Sequence, residues 1–205
     1  IRGAVEIIRD EVSPESKQYE FATILIDETK RLNEVVENYL NLAKKQKKKD
    51  VPYQINEIIQ SSVLLISNQA KKNNIKIKVN GPDFPIQLMG DQNDLQQILI
   101  NLILNAIESI KEDGEILIDI EQISSGKSDV ESNGLKISVN DTGSGLNEEE
   151  IEKIFQPFYT SKKTGSGLGL AIVKRIADSN SWKINIESVV DVGTKFVLMI
   201  PINKN

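Results

Sequence analysis

The amino-acid sequence predicts an α+β protein, a two-layer α/β sandwich preceded by a helical hairpin. Three observations carry this. IKIKVN (75–80) alternates apolar and polar side chains with the two-residue period of a half-buried strand. Residues 91–111 are a long, largely apolar stretch that opens on acidic residues, as a helix start prefers. WKINIES (182–188) and TKFVLMIP (194–201) are close enough in sequence to pair as a closing hairpin of strands. Helices mixed with mainly antiparallel strands are buried as a sheet covered by a helical layer.

The elements follow in order. Residues 1–12 read as a helix with Ile1, Val5, Ile8 and Val12 near one face, and Pro14 disfavours helix at Ser13. From Tyr19 to about Lys47 the helical period returns. Phe21, Leu25, Leu32, Val35, Val36, Tyr39, Leu42 and Ala43 make a wide apolar stripe. A lone hairpin cannot bury two such stripes, so a second copy is expected to complete a four-helix bundle, a homodimer through residues 1–48. The alternative is a hairpin packed on its own downstream domain. The run Lys44 to Lys49 fits a solvated helix end near the negative pole of the helix dipole, or a membrane-surface patch. The chain is expected to divide into a hairpin (1–49) and a larger domain (50–205).

In the larger domain, residues 55–72 read as a helix and Gly81-Pro82 as a turn. Asp113-Gly114 leads into the strand EILIDIEQI (115–123), and LKISVND (135–141) follows a polar loop (124–134) expected to be mobile at its tip. Asn147 is expected to cap a short helix with Glu150 in capping-box position. Leu168 to Asn180 is the last helix.

Composition limits the chemistry. The 205 residues are 39% apolar, enough for one α/β domain and a smaller element. No run of eighteen apolar residues exists, no signal peptide is visible, and the first residue is not Met, so a fragment of a longer protein is expected. Cysteine and histidine are both absent. Disulfides and thiolate zinc sites are excluded, and a metal would need oxygen ligands, which points to Mg²⁺. The net charge of −5 argues against a dedicated nucleic-acid binder.

Three segments bear the chemistry: NLILNA (101–106), DTGSGL (141–146) and GSGLGL (165–170). Asn101 and Asn105 share one helix face beside the apolar stripe of Ile98, Leu102 and Ile107. Such a pair is costly unless its hydrogen bonds are used. A helix-to-loop tether or a ligand would use them. Asp141 ends a strand before Thr142-Gly143-Ser144-Gly145, where a carboxylate can accept from an exocyclic amine; an ordinary Asp-Gly turn looks similar. Gly165 to Leu170 runs into a helix, a setting that suits phosphate. A Rossmann turn would need a preceding strand, and FQPFYTSKKT (155–164) precedes it instead.

In order, spacing and context these segments resemble the N, G1 and G2 boxes of the ATP-binding domain shared by sensor histidine kinases, gyrase, Hsp90 and MutL, the GHKL or Bergerat-fold superfamily. The resemblance covers essentially the whole chain, including RLNEVVENYLNLAK (31–44), which looks like the second helix of a histidine-kinase dimerisation hairpin. It implies that Asn105 supplies an oxygen to Mg²⁺ bridging the ATP phosphates. Asn101 stands where the ATPase branches carry a catalytic Glu, and an amide cannot act as general base. Asp141 is implied to read the adenine amino group, with Gly143, Gly145, Leu146, Gly165, Gly167, Leu168, Gly169 and Leu170 around the nucleotide and Thr194 near the adenine. FQPFYTSKKT resembles the F box and ATP lid, anchored by Phe155 and Phe158, with Lys162 or Lys163 either reaching the terminal phosphates as a point charge or remaining a solvated loop charge. The candidate catalytic residues are Asn101, Asn105 and Lys162.

The function implied is transfer of the γ-phosphoryl of Mg-ATP to a histidine, relayed to an Asp on the receiver domain of a response regulator. The portion is expected to be cytoplasmic, with any membrane anchor in other parts of the parent. Two features depart from the family. No acceptor histidine is present; the family carries it shortly before the stretch matching Ile1 to Ala4, so truncation is expected rather than a pseudokinase. Glu108 stands where many members carry a basic residue, although some branches carry the same acidic residue. The alternative function is a nucleotide-gated dimer that binds a partner without catalysis. The hairpin argues against a serine kinase of the anti-sigma type.

Overall fold

The computed structural model describes residues 2–43, 50–82, 84–123, 134–162 and 165–202. The lysine run 44–49, the polar loop from 124 to 133, Lys163, Ile1 and the side chains of Val35, Tyr39, Leu42 and Ala43 lie outside the described residues.

Two helices open the chain, α1 (Arg2–Glu11) and α2 (Lys17–Ala43), and pack against each other. The Ser13-Pro14 break holds, and α2 begins two residues earlier than the sequence suggests because Ser16 Oγ accepts the Tyr19 N–H at 3.2 Å. Ala22 is buried, but Ile7, Ile8, Phe21, Ile24, Leu25, Leu32 and Val36 are each more than half exposed. Some of α2 touches the last helix, yet the described members of the stripe expected to pair with a second copy, Phe21, Leu25, Leu32 and Val36, stay open on this chain. Among the described residues, no helix is long and apolar enough to cross a membrane.

The rest is a five-stranded sheet with a helical layer on one face. The strands are β2 (Ile75–Asn80), β4 (Gly114–Ile123), β5 (Gly134–Asp141), β6 (Lys183–Val189) and β7 (Gly193–Pro201), in the order β2-β4-β5-β7-β6. All neighbours are antiparallel except β2 and β4. These two run parallel because the chain crosses between them through a helix, as a parallel connection requires. Edge position also explains why IKIKVN is less regular than its pattern: Ile75 is buried, but Val79 is 43% exposed.

Three helices, α3 (Ile55–Lys72), α4 (Gln92–Ser109) and α6 (Gly169–Ser179), cover the sheet, with α4 packed on both others. Leu95, Ile98, Leu99, Leu102, Ile103, Ala106 and Ile107 of α4 are buried, at the helical spacing the sequence shows. They meet Ile116, Ile118, Leu135, Ile137, Val139, Phe196 and Leu198 in a single core. Each large side chain there contributes about 1.5–3 kcal/mol by leaving water. Asp91 caps α4 by accepting the Asn93 N–H at 3.0 Å. The short helix α5 (Glu148–Lys153) carries the expected capping box: Asn147 Oδ1 accepts the Glu150 N–H, and Glu150 Oε2 accepts the Asn147 N–H.

A two-stranded sheet escaped the sequence reading: β1 (Val51–Gln54) pairs antiparallel with β3 (Gln87–Gly90). The Ile55 N–H donates to Ile86 O at 3.0 Å, so this ribbon leads straight into α3.

Candidate functional site

Helix α4 carries a polar stripe beside its buried one. Asn101, Asn105 and Ser109 succeed one another at four-residue intervals, so they stand on one face about 6 Å apart along the axis. Each meets a different element. Asn101 Nδ2 donates to the Gln97 carbonyl at 2.8 Å, and its Oδ1 lies against Gly169, where α6 begins. Asn105 Oδ1 accepts from Lys162 Nζ at 2.9 Å. Ser109 Oγ is 3.0 Å from Asp141 Oδ1 and 2.8 Å from the Ala106 carbonyl.

Asp141 is the last residue of β5, opposite Thr194 of β7, and both are buried. Asp141 Oδ1 also accepts the Gly143 N–H at 2.8 Å. Burial pushes the Asp141 carboxyl above the usual carboxylate range, opposed by the Gly143 amide, the Ser109 hydroxyl, the Thr194 amide and the Lys162 charge. The following turn is pinned on all sides. Thr142 N–H donates to Glu115 O, and Ser144 N–H to Ser109 O. Gly145 has φ +65°, and a Cβ there would strike the Val189 carbonyl. Leu146 N–H donates to Ser188 Oγ at 2.9 Å, and that hydroxyl lies 2.9 Å from Thr194 Oγ1. Gly143 leaves room for Ser109 Oγ. Packing against Ser109, Asp141 and Val189 therefore imposes these glycines, whether or not a ligand approaches.

The segment after α5 closes on itself. Phe155 packs against the core, as expected. Phe158 does not: it is 57% exposed with φ +67°, and it anchors through its backbone instead. Its N–H donates to Gly167 O at 2.8 Å, while Gly167, at φ +66°, has no room for a Cβ against the Phe158 backbone. The Phe158–Gly167 bond thus clasps the base of the segment that carries Lys162. From it Lys162 Nζ reaches Asn105 Oδ1 and Glu108 Oε2, both at 2.9 Å, and the Asn105 carbonyl at 3.4 Å.

A cleft of about 290 Å³ opens between α4, this segment and the start of α6. Asn101, Asn105, Leu146, Lys162, Gly165, Gly167, Gly169 and Leu170 line it, so the N and G2 segments converge as expected. Asp141, Gly143, Gly145 and Thr194 do not line it; they form the packed turn at the end of β5. The Leu168 side chain is fully buried in the core, so only its backbone is available to a ligand. Residues the sequence reading passed over also take part: Glu150, Tyr159 and Ser166 line the cleft, and Ser109 holds Asp141. Ser109 continues the Asn101/Asn105 spacing, and that was the available signal.

The donor set suits a hard cation. Asn105 Oδ1 and the Glu108 carboxylate converge on one positive charge through oxygen. Among the described residues no group of three or more His, Cys, Asp or Glu could hold a metal alone. An ion here would complete its shell from phosphate and water, as Mg²⁺ does.

Comparison with known proteins agrees with this geometry. The family model for the histidine kinase-, DNA gyrase B- and HSP90-like ATPase matches residues 90–204, from the cap of α4 to the end of the sheet. The chain belongs to this family. Within it, the relatives are histidine kinases. Sensor histidine kinase ZraS of Escherichia coli K12 is 30% identical over 203 residues, 99% of this chain and 42% of the relative. Sporulation kinase C of Bacillus subtilis is 32% identical over 206 residues, all of this chain and 46% of the relative. The chain therefore spans under half the length of the curated relatives it matches. The catalytic domain of histidine kinase ThkA superposes with a TM-score of 0.65 at 32% identity, covering 75% of this chain and 95% of that one. ThkA in complex with response regulator protein TrrA gives 0.75 at 28%, covering 97% and 55%. The resemblance drawn from the three boxes holds, and the GHKL ATP-binding domain is of the histidine-kinase type.

Proposed function

We propose that residues 50–205 form the catalytic ATP-binding domain of a two-component sensor histidine kinase, and residues 1–49 its dimerisation hairpin. The reaction is transfer of the γ-phosphoryl of Mg-ATP to a histidine, then relay to an Asp of a response regulator. The carrying observation is the convergence of Asn105 Oδ1, Glu108 and Lys162 Nζ at one point of a cleft that also opens on the start of α6.

The residues divide the work by chemistry. Asp141 accepts from the exocyclic amine of adenine, an interaction that guanine's carbonyl at the same position cannot make. The amides at the start of α6 and the Gly165–Gly169 backbone meet the phosphates. Asn105 would hold Mg²⁺, which would supply positive charge to neutralise the phosphates. Lys162 offers a further positive charge to the phosphates. Asn101 orients through its amide and cannot deprotonate water, which fits an enzyme that spares ATP for transfer. Catalysis of this kind rests on positioning and charge stabilisation.

The exposed apolar side chains of α1 and α2 support a homodimer through the hairpin, since a second copy would bury them in a four-helix bundle. A response regulator as partner is supported by ThkA, which was solved with one. ATP as substrate argues for a cytoplasmic location of this portion. No histidine is among the 205 residues, so the acceptor belongs to another part of the protein or to another chain.

Calorimetry with Mg-ADP and Mg-GDP tests the reading. ADP should bind with Kd between roughly micromolar and millimolar, about 4–8 kcal/mol. GDP should bind at least about tenfold more weakly, or about 1.4 kcal/mol. Equal affinities would sink the role given to Asp141.

A further inference from the structure

Lys162 reaches its partners across 54 and 57 residues of sequence, from a segment clasped by the Phe158–Gly167 backbone bond. Its ammonium does more than form a surface ion pair. It makes a charged contact to Glu108 and a second, equally short contact to the amide oxygen of Asn105, with the Asn105 carbonyl as a third oxygen. An ammonium surrounded by oxygens on one side occupies the position a small hard cation would take. A pure charge pair would have no need of the amide oxygen.

We propose that Lys162 is a built-in stand-in for the divalent cation: Glu108 holds its ammonium on Asn105 Oδ1, so lysine and metal exclude each other there. This rests on the reading that Asn105 binds the metal of the nucleotide. It gives Glu108 the task of positioning the lysine. The contacts to Glu108 and Asn105 hold Lys162 on α4. A divalent ion would compete with the ammonium for the same Asn105 oxygen, and Lys162 would then be free to offer its charge to the phosphates. Without Lys162, the Asn105–Glu108 pair keeps its oxygens and loses its counter-charge, so it should attract a free cation more strongly.

The test uses the full chain and Mn²⁺ alone, without nucleotide, read by electron paramagnetic resonance of the free ion. Lys162→Met should bind Mn²⁺ at least fivefold more tightly than the unaltered chain. Adding Asn105→Ala to that variant should abolish the gain. Lys153→Met, which removes a charge from α5, should give no gain. The proposal is overturned if Lys162→Met matches the unaltered chain or both are immeasurably weak. It is equally overturned if Lys153→Met gains as much, or if the gain survives Asn105→Ala. A second readout needs no metal: the Lys162 ammonium signal in ¹⁵N NMR should lose its hydrogen-bonded shift in Glu108→Gln, and an unchanged signal counts against the Glu108 contact. The underlying reading fails separately. If Asn105→Ala keeps metal-dependent ADP binding, Asn105 is not the metal residue; if it loses that binding while the Mn²⁺ series is flat, only the stand-in is wrong.

Discussion

Ser109 Oγ stands 3.0 Å from Asp141 Oδ1, joining the last residue of α4 to the last residue of β5. The contact locks the helix that carries Asn101 and Asn105 to the strand end that carries the buried carboxylate. Opposed influences act on the Asp141 carboxyl. Burial raises its pKa, and two amides, one hydroxyl and the Lys162 charge only offset that in part.

Asp141→Asn is therefore expected to stabilise the fold while removing function. The native pKa lies above the unfolded one, so the folded state binds the proton more tightly. The carboxyl's contribution is most favourable below the unfolded pKa and is lost as pH rises through the native value. The Asn variant should thus melt above the unaltered chain at neutral pH, and its advantage should shrink towards about pH 4. The same variant should lose its preference for ADP over GDP. Thermal unfolding across that range decides the first part; an advantage that grows on acidification would mean that the anion is the stabilising form.

Gly167→Ala tests the clasp. A left-handed φ costs a non-glycine residue about 1–3 kcal/mol, and here the new Cβ also meets the Phe158 backbone. The variant should lose at least about 1 kcal/mol of stability, and amide exchange of 159–162 should speed up. In the unaltered chain, Mg-ATP should slow exchange at 160–162 and 165–167 if these residues close on the ligand. Unaltered protection there would count against a lid.

Asn105→Ala keeps helix propensity high, so its effect should be confined to the site. Metal-dependent ADP binding should fall by at least about tenfold, or about 1.4 kcal/mol, with little change in melting temperature. Equal affinity with Mg²⁺ and with a chelator in this variant, but not in the unaltered chain, is the signature. If the metal dependence survives, Asn105 is structural.

What the sequence revealed and what it hid follow from range. The helices α3 and α4 were legible to within about two residues because long apolar periods and the Asp91 cap are local signals. The Asn147–Glu150 capping box was legible for the same reason. The β1–β3 ribbon was not: each strand has four residues, one contains Pro52 and the other ends at Gly90, and only their pairing defines them. Phe158 misled because an aromatic residue suggests core, whereas its backbone bond to Gly167 turns the ring outward. In the site, Asn101 and Asn105 were visible as a stripe, but the partner each meets was not. Lys162 and Lys163 were indistinguishable by type, and the meeting of Lys162 with Glu108 is tertiary.

The strongest test of the kinase reading is transfer between chains. The isolated chain cannot phosphorylate itself on histidine, since it has none. Its candidate nucleotide site nevertheless holds the N and G2 segments around one cleft. The exposed Phe21, Leu25, Leu32 and Val36 of α2 offer a surface for mixed bundles. A separate hairpin that supplies the histidine should therefore exchange into such a bundle and accept phosphate. With γ-labelled ATP, acid-labile label should appear on the added hairpin only when Mg²⁺ is present. Leu32→Glu combined with Val36→Glu should prevent the mixed bundle and abolish labelling, while ADP affinity stays within about twofold. No transfer, despite demonstrated ATP binding and mixed dimers, would leave a nucleotide-gated binding module as the better account of this chain.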